Sequence, residues 1–218
     1  MTADRTLPRL TAILDADAAS VAGWPLIDLA RAYLRGGARL LQVRAKHAPG
    51  ASFLEAASAI VALAHREGAA VIVNDRADIA RLAGADGVHV GQDDLAPALV
   101  RAIVGDEAIV GISTHTPEQL AAACQAPVLP GYVAIGPVFP TSTKLTGLDA
   151  VGLERVCAAA EVTGARGLPL VAIGGITLDR AADVLRAGAA SVAVISDLLS
   201  TGDPEGRVRA YVLRLGKV

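Results

Sequence analysis

Thr141, Ser142, Thr143 and Lys144 stand together shortly after a short apolar run, YVAI, at Tyr132–Ile135. Hydroxyls donate hydrogen bonds and lysine supplies a compact positive charge, so such a cluster on a loop suits a phosphorylated ligand. A solvated loop would carry the same residue types, because turns favour them. This segment alone leaves both readings open. The same arrangement recurs along the chain, however. Gln42, Arg44 and Lys46 close one apolar run, and Asn74-Asp75 follow AVIV. Gly91-Gln92-Asp93-Asp94 follow GVHV, Ser113 follows IVGI, Gly174-Gly175 follow LVAI, and Ile195-Ser196 end SVAVIS.

Elements that could carry these groups to one place are visible in the hydrophobic pattern. Eight β-like runs occur at Leu10–Leu14, Leu40–Arg44, Ala70–Val73, Gly87–Val90, Ile109–Ile112, Tyr132–Ile135, Leu170–Ile173 and Ser191–Ile195. Segments of helical period lie between them, among them 26–35, 53–66, 77–82, 117–124, 178–187 and 205–215. Helix boundaries are expected at Asp75 before Arg76, at Thr116-Pro117, at Thr177 and at Gly188. Strict β–α alternation implies parallel strands joined by right-handed crossovers. The expected fold is therefore α/β, a single (β/α)8 TIM barrel over residues 1–218, with an open doubly wound sheet as the alternative. In a barrel, catalytic groups occupy the loops at the carboxyl ends of the strands. The polar groups above all fall there, and the opposite rim shows nothing comparable.

Composition narrows the function. Hydrophobic residues make up 53% of the 218 and charged ones only 19%, which suffices for a large core. Aromatics at 3% mean that this core is built from Ala, Val, Leu and Ile. A formal net charge of −2 gives no basic footprint, so no nucleic-acid partner is expected. No apolar run resembles a signal peptide or a membrane span, which points to a cytoplasmic protein without a membrane partner. Cys124 and Cys157 read as free thiols on helices. A homo-oligomer is compatible with all of this.

Asp75 and Asp94 end neighbouring strands, where two carboxylates could share one hard cation such as Mg²⁺ with ligand phosphate oxygens. Each could instead be only a helix cap. Arg44, Lys46 and Lys144 around them suit a polyanion. Gly174 and Gly175 with Ser196 match the phosphate cup after strands seven and eight of many barrels, although a Gly-Gly pair is also a plain tight turn. His89, inside a strand, reads as a core histidine rather than a ligand. His115 is ambiguous, and His47 and His65 read as surface residues. Two anionic groups at one rim are the geometry of a two-substrate transfer in which a diphosphate leaves.

The motifs QVRAK (42–46), VNDRADIA (73–80), GADGVHVGQDDL (84–95), GISTHT (111–116), GPVFPTSTK (136–144), VAIGGIT (171–177) and VAVISDLL (192–199), in this order, resemble the thiamine-phosphate synthase family. The resemblance implies a transferase with two small-molecule substrates. It would couple 4-amino-2-methyl-5-(diphosphooxymethyl)pyrimidine to 4-methyl-5-(2-phosphooxyethyl)thiazole, releasing pyrophosphate with Mg²⁺ present. Carried over by motif, Gln42, Arg44, Lys46, Asn74, Ser113 and Lys144 would bind the pyrimidine diphosphate, and Asp75 and Asp94 the metal. Arg44, Lys46, Ser113 and Lys144 would take the catalytic roles. Thr141, Thr143, Gly175, Ile195 and Ser196 would hold the thiazole phosphate. Ala45 departs from the family, which commonly has an acid there. It is expected to face away from Arg44, costing a supporting contact rather than activity. The stretch after Lys144 is also less basic than the family's. Related readings on the same barrel are a thiazole tautomerase, with a proton-shuttling histidine at His115, and a non-catalytic sensor of thiamine precursors.

Overall fold

The computed structural model describes residues 7–141 and 149–216. Eight parallel strands close into a barrel in sequence order: β1 Leu10–Asp15, β2 Leu40–Arg44, β3 Ala70–Asn74, β4 Gly87–Val90, β5 Ile109–Thr114, β6 Tyr132–Ile135, β7 Leu170–Ile173 and β8 Ser191–Val194. The helices between and after them are α1 Ala16–Val21, α2 Leu26–Arg35, α3 Gly50–Arg66, α4 Ala77–Ala83, α5 Pro97–Val104, α6 Pro117–Gln125, α7 Gly152–Gly164, α8 Leu178–Arg186 and α9 Pro204–Leu215. The closed barrel excludes the open-sheet alternative. The expected strands are all present; β1 and β3 each extend one residue further, and β5 extends two, so Ser113 lies within a strand rather than after it. Strand β8 stops at Val194, and a single 3₁₀ turn follows at Ser196–Leu198. None of the described helices is long and apolar enough to cross a membrane.

Strand alternation divides the apolar residues into two cores. Leu14, Leu41, Val43, Val71, Val73, Val88 and Val90 face the helices and form the larger one. Ala45 belongs to it, buried away from the barrel mouth, in the orientation expected of it. Inside the barrel, Ile13, Leu40, Ile72, Tyr132, Ala134, Val171 and Ala193 form the smaller one. Both cysteines are free and lie on helices, Cys124 buried and Cys157 exposed.

One level of the barrel determines how the site is built. The parallel registers set Asn74 beside His89, His89 beside Gly111, and Gly111 beside Tyr132. A Cβ at Gly111 would overlap the Tyr132 ring. The missing side chain lets that ring lie across β5 and stack on His89, with centroids 5.5 Å apart and planes 14° from parallel. Gly111→Ala should therefore destabilise the fold by about 3 kcal/mol, the upper range for overpacking a filled core. Urea unfolding of the variant, alone and combined with Tyr132→Leu, checks this. The double variant should recover part of the loss, and an unchanged midpoint for Gly111→Ala would refute the packing argument.

Candidate active site

Gln42 and Arg44 alternate with Val43 on β2, so both point into the barrel mouth and line its central cavity. Arg44 forms an ion pair with Asp15, its register partner on β1. Asp15 also accepts a 2.9 Å hydrogen bond from the Ala18 amide and so caps α1. One buried carboxylate thus starts a helix and holds a guanidinium at the rim. The Arg44 Nε is buried without a hydrogen-bond partner among the described residues. An unsatisfied buried donor lowers the cost of taking up an acceptor such as a phosphate oxygen.

Lys46, Asp75 and Asp94 form the outer part of this half of the rim. Asp75 adopts a left-handed backbone conformation, φ 63°, which aspartate tolerates better than most residues. Its amide donates to the His89 carbonyl at 2.7 Å, and its carboxylate lies 3.2 Å from Lys46 Nζ. The helix-entry role expected of Asp75 is not what is found. The N-cap position of α4 is Arg76, without a side-chain bond, because the left-handed turn sends the Asp75 carboxylate to Lys46 instead. Asp94 is not a helix cap either: it accepts from the Gly91 amide at 2.7 Å, and α5 is entered from Ala96. Burial holds the Asp75 carboxyl above the usual carboxylate range, Lys46 opposes this, and the neighbouring Asp94 charge and hydrogen bond push it further up. Two carboxylates in mutual repulsion beside a ligand cavity fit a hard dication that completes its shell with water and ligand oxygens. Among the described residues no cluster of three or more His, Cys, Asp or Glu forms a metal site.

Hydrogen-bonded polar groups stand among the apolar residues Ile13, Ala134, Val171 and Ala193 that also line the cavity. His89 shares a 2.9 Å hydrogen bond with the Tyr132 hydroxyl through Nδ1 and a 2.8 Å one with Ser113 Oγ through Nε2. Gln42 also bonds the Tyr132 hydroxyl, while burial keeps that phenol far above its ordinary pKa and therefore protonated. Gln92 Nε2 donates to the Ser113 carbonyl at 2.6 Å, tying the loop after β4 to β5. Asn74 lines the same cavity, as does His115, whose Nδ1 donates to the Gly136 carbonyl at 2.8 Å.

A second cavity adjoins the first after β7 and β8. Gly175, Ile195 and Ser196 line it, together with Thr141, Thr177 and Asp197. Gly174 and Gly175 have φ of 102° and 62°. A Cβ at Gly175 would sit 2.6 Å from the Pro140 carbonyl oxygen, so glycine is needed here for close approach of the loop after β6 as well as for its backbone conformation. Thr141, Gly174 and Ile195 line both cavities. Thr143 and Lys144 lie outside the described residues. All the other residues expected at the site converge on this rim.

Several residues of the site were not anticipated. His89 is buried in the barrel, as expected, but it also lines the cavity and bonds Ser113. Its parity with Gly87 on β4, and the register with Asn74, would have placed it there. Asp15 has only its local role as the cap of α1 written in the sequence, and the ion-pair partners of Asp15 and Asp197 are 29 and 10 residues away.

A closed (β/α)8 barrel with cationic, hydroxyl and glycine elements gathered at its carboxyl rim is the architecture of a barrel enzyme. Comparison with known proteins says which. The family profile described as thiamine monophosphate synthase matches residues 10–198. A thiamine-phosphate synthase of Koribacter versatilis is 45% identical over 210 residues, covering 94% of this chain and 95% of that protein. One from Anaeromyxobacter dehalogenans is 47% identical over 185 residues, 85% of this chain and 81% of the relative. Among solved structures, a thiamine phosphate pyrophosphorylase from Pyrococcus furiosus superposes with a TM-score of 0.83 at 29% identity, over 95% of both chains. The chain belongs to the thiamine-phosphate synthase family and is a transferase of thiamine biosynthesis.

Proposed function

We propose that this transferase joins the pyrimidine diphosphate to the thiazole monophosphate, giving thiamine monophosphate and pyrophosphate. The observation that carries this reading is the shared wall of the two cavities. Thr141, Gly174 and Ile195 border both, so ligands held in each would meet there. The first cavity, lined by Arg44 and with Lys46 and the carboxylate pair on the rim outside it, suits the more highly charged diphosphate, and the glycine-built cup suits the monophosphate.

The steps follow from those placements. Gln42, Asn74 and Ser113 orient the pyrimidine over the Tyr132–His89 floor. Arg44 and Lys46 stabilise the charge that grows on the departing diphosphate as the bond from the methylene carbon to oxygen breaks. A dication bound at Asp75 and Asp94 would supply further neutralisation of that leaving group. The electron pair leaves with the diphosphate, and the resulting pyrimidinylmethyl cation is delocalised by its amino group. Gly175, Ile195, Ser196 and Thr141 hold the thiazole phosphate so that the ring nitrogen lone pair closes the new carbon–nitrogen bond. No proton is removed to create this nucleophile, so positioning and electrostatics account for the rate. Lys144 and Thr143, which the family resemblance assigns to the diphosphate and thiazole sides, complete the proposal.

The test combines purified protein, both substrates and Mg²⁺, and follows pyrophosphate and thiamine phosphate together. Equal amounts of the two products, suppressed by EDTA, are expected. Absence of both products from protein that still binds the thiazole phosphate would overturn the reading.

A further inference from the structure

Asp197 directly follows Ser196, and its carboxylate accepts hydrogen bonds from Arg207, Tyr211 and Leu178. Arg207 of α9 grips it in two-pronged fashion, Nη2 to Oδ1 at 3.0 Å and Nε to Oδ2 at 3.1 Å, with Nη2 also 2.8 Å from Oδ2. The Tyr211 hydroxyl donates to Oδ2 at 2.6 Å, and the Leu178 amide at 3.2 Å. Burial, then the Asp197 hydrogen bond and charge, keep the Tyr211 phenol protonated, so it remains a donor. Thr177, at the N-cap of α8, makes no side-chain cap bond, and Asp197 satisfies the first amide of that helix, Leu178, from the other loop. Asp197 therefore ties the loop after β7, the turn after β8 and helix α9 at one point. It also lines the second cavity, with side-chain exposure of only 13%.

We propose that Asp197, clamped by Arg207 and Tyr211, is the positioning residue of the monophosphate cup, fixing the loop after β7 against the Ile195–Ser196 turn. The proposal rests on the reading of that cavity as the monophosphate site. A carboxylate beside an anionic ligand would repel it, and Arg207 cancels that charge. Neutralisation is thus as much a part of the device as geometry, and this separates it from a merely structural tie. Removing Arg207 alone exposes the ligand to an uncompensated carboxylate; removing Asp197 as well takes the repulsion away.

The experiment measures binding of two probes to the full chain by calorimetry: the thiazole monophosphate, and pyrophosphate with Mg²⁺. Tyr211→Phe should weaken the monophosphate roughly threefold and Arg207→Met roughly tenfold or more. The double variant Asp197→Asn/Arg207→Met should bind it more tightly than Arg207→Met does. Pyrophosphate affinity should stay within about twofold in all of them, because its side of the rim is untouched. Tyr211→Phe removes only one hydroxyl, so it serves even where Arg207→Met melts. Unchanged monophosphate affinity in Tyr211→Phe and Arg207→Met, or equal losses for both probes, would overturn the proposal. So would a double variant weaker than Arg207→Met. Wild-type protein that binds the monophosphate yet makes no product would instead refute the transfer reaction and leave the role of Asp197 standing.

Discussion

Asp75→Asn should lower turnover roughly 10²–10³-fold while raising the melting temperature of the metal-free protein by roughly 2–4 °C. The opposite signs have one cause. Asp75 is held above the ordinary carboxylate range chiefly by burial, and the adjacent Asp94 adds to this against the pull of Lys46. A carboxylate whose folded pKa is raised binds its proton more tightly in the native state than in the unfolded one. Its contribution to stability therefore falls as pH rises from the ordinary carboxylate value through the raised one. Asparagine keeps the shape and removes that penalty. Lys46, with 41% of its side chain exposed, loses its partner but keeps its hydration, so little is lost there. The same change removes half of the pair that would hold a dication, and with it the neutralisation proposed for the leaving diphosphate. Thermal melts in EDTA and steady-state rates with Mg²⁺ give the two readings. Wild-type turnover in the variant would remove the carboxylate pair from the mechanism, and a lower melting temperature would show that the Lys46 contact outweighs the repulsion.

Asp15→Asn should be the most damaging of the polar changes to stability, at roughly 3–5 kcal/mol. The side chains of Asp15 and Arg44 are only 5% and 12% exposed, so each depends on the other for what water would otherwise supply. Asparagine can still cap α1, so the loss reports the charge pair rather than the cap. The Tyr33 hydroxyl nearby is buried without a hydrogen-bond partner among the described residues, and it offers Arg44 no substitute acceptor anion, because burial alone, the larger cause, keeps the phenol protonated. Arg44→Met in the Asp15→Asn background should recover most of the stability by removing the orphaned charge, although it also removes the guanidinium proposed to bind the diphosphate. Urea unfolding of the two single variants and the double one completes the cycle. Additive losses would mean that the two residues are not coupled.

The pattern of apolar runs was enough to define the barrel, because parallel strands buried on both faces read as short Val-, Leu- and Ile-rich segments separated by helical ones. It also placed Gln42, Arg44, Asn74, Asp75, Asp94, Ser113, Thr141, Gly175, Ile195 and Ser196 at one rim, since whatever follows a strand of such a barrel must emerge there. Helices α1, α5 and α7 were less legible. Each is short or polar-interrupted, and its hydrophobic face is defined only by the neighbours it packs against.

What the chain could not state by itself is which rim groups touch. The role of Gly111 depends on a ring reaching over from the next strand, and that of His89 on Tyr132 and Ser113 arriving from two others. Asp75 looked like a helix cap because local sequence fixes the residue type at a junction; its left-handed backbone and its turn towards Lys46 come from how β3, β4 and the loop after β2 meet. Sequence alone determined the kinds of groups and the rim that carries them, since periodicity is a local property. Only the tertiary structure decided the pairings, Asp15 with Arg44, Asp75 with Lys46, Asp197 with Arg207 and Tyr211, because barrel closure and register bring together side chains that chain order holds apart.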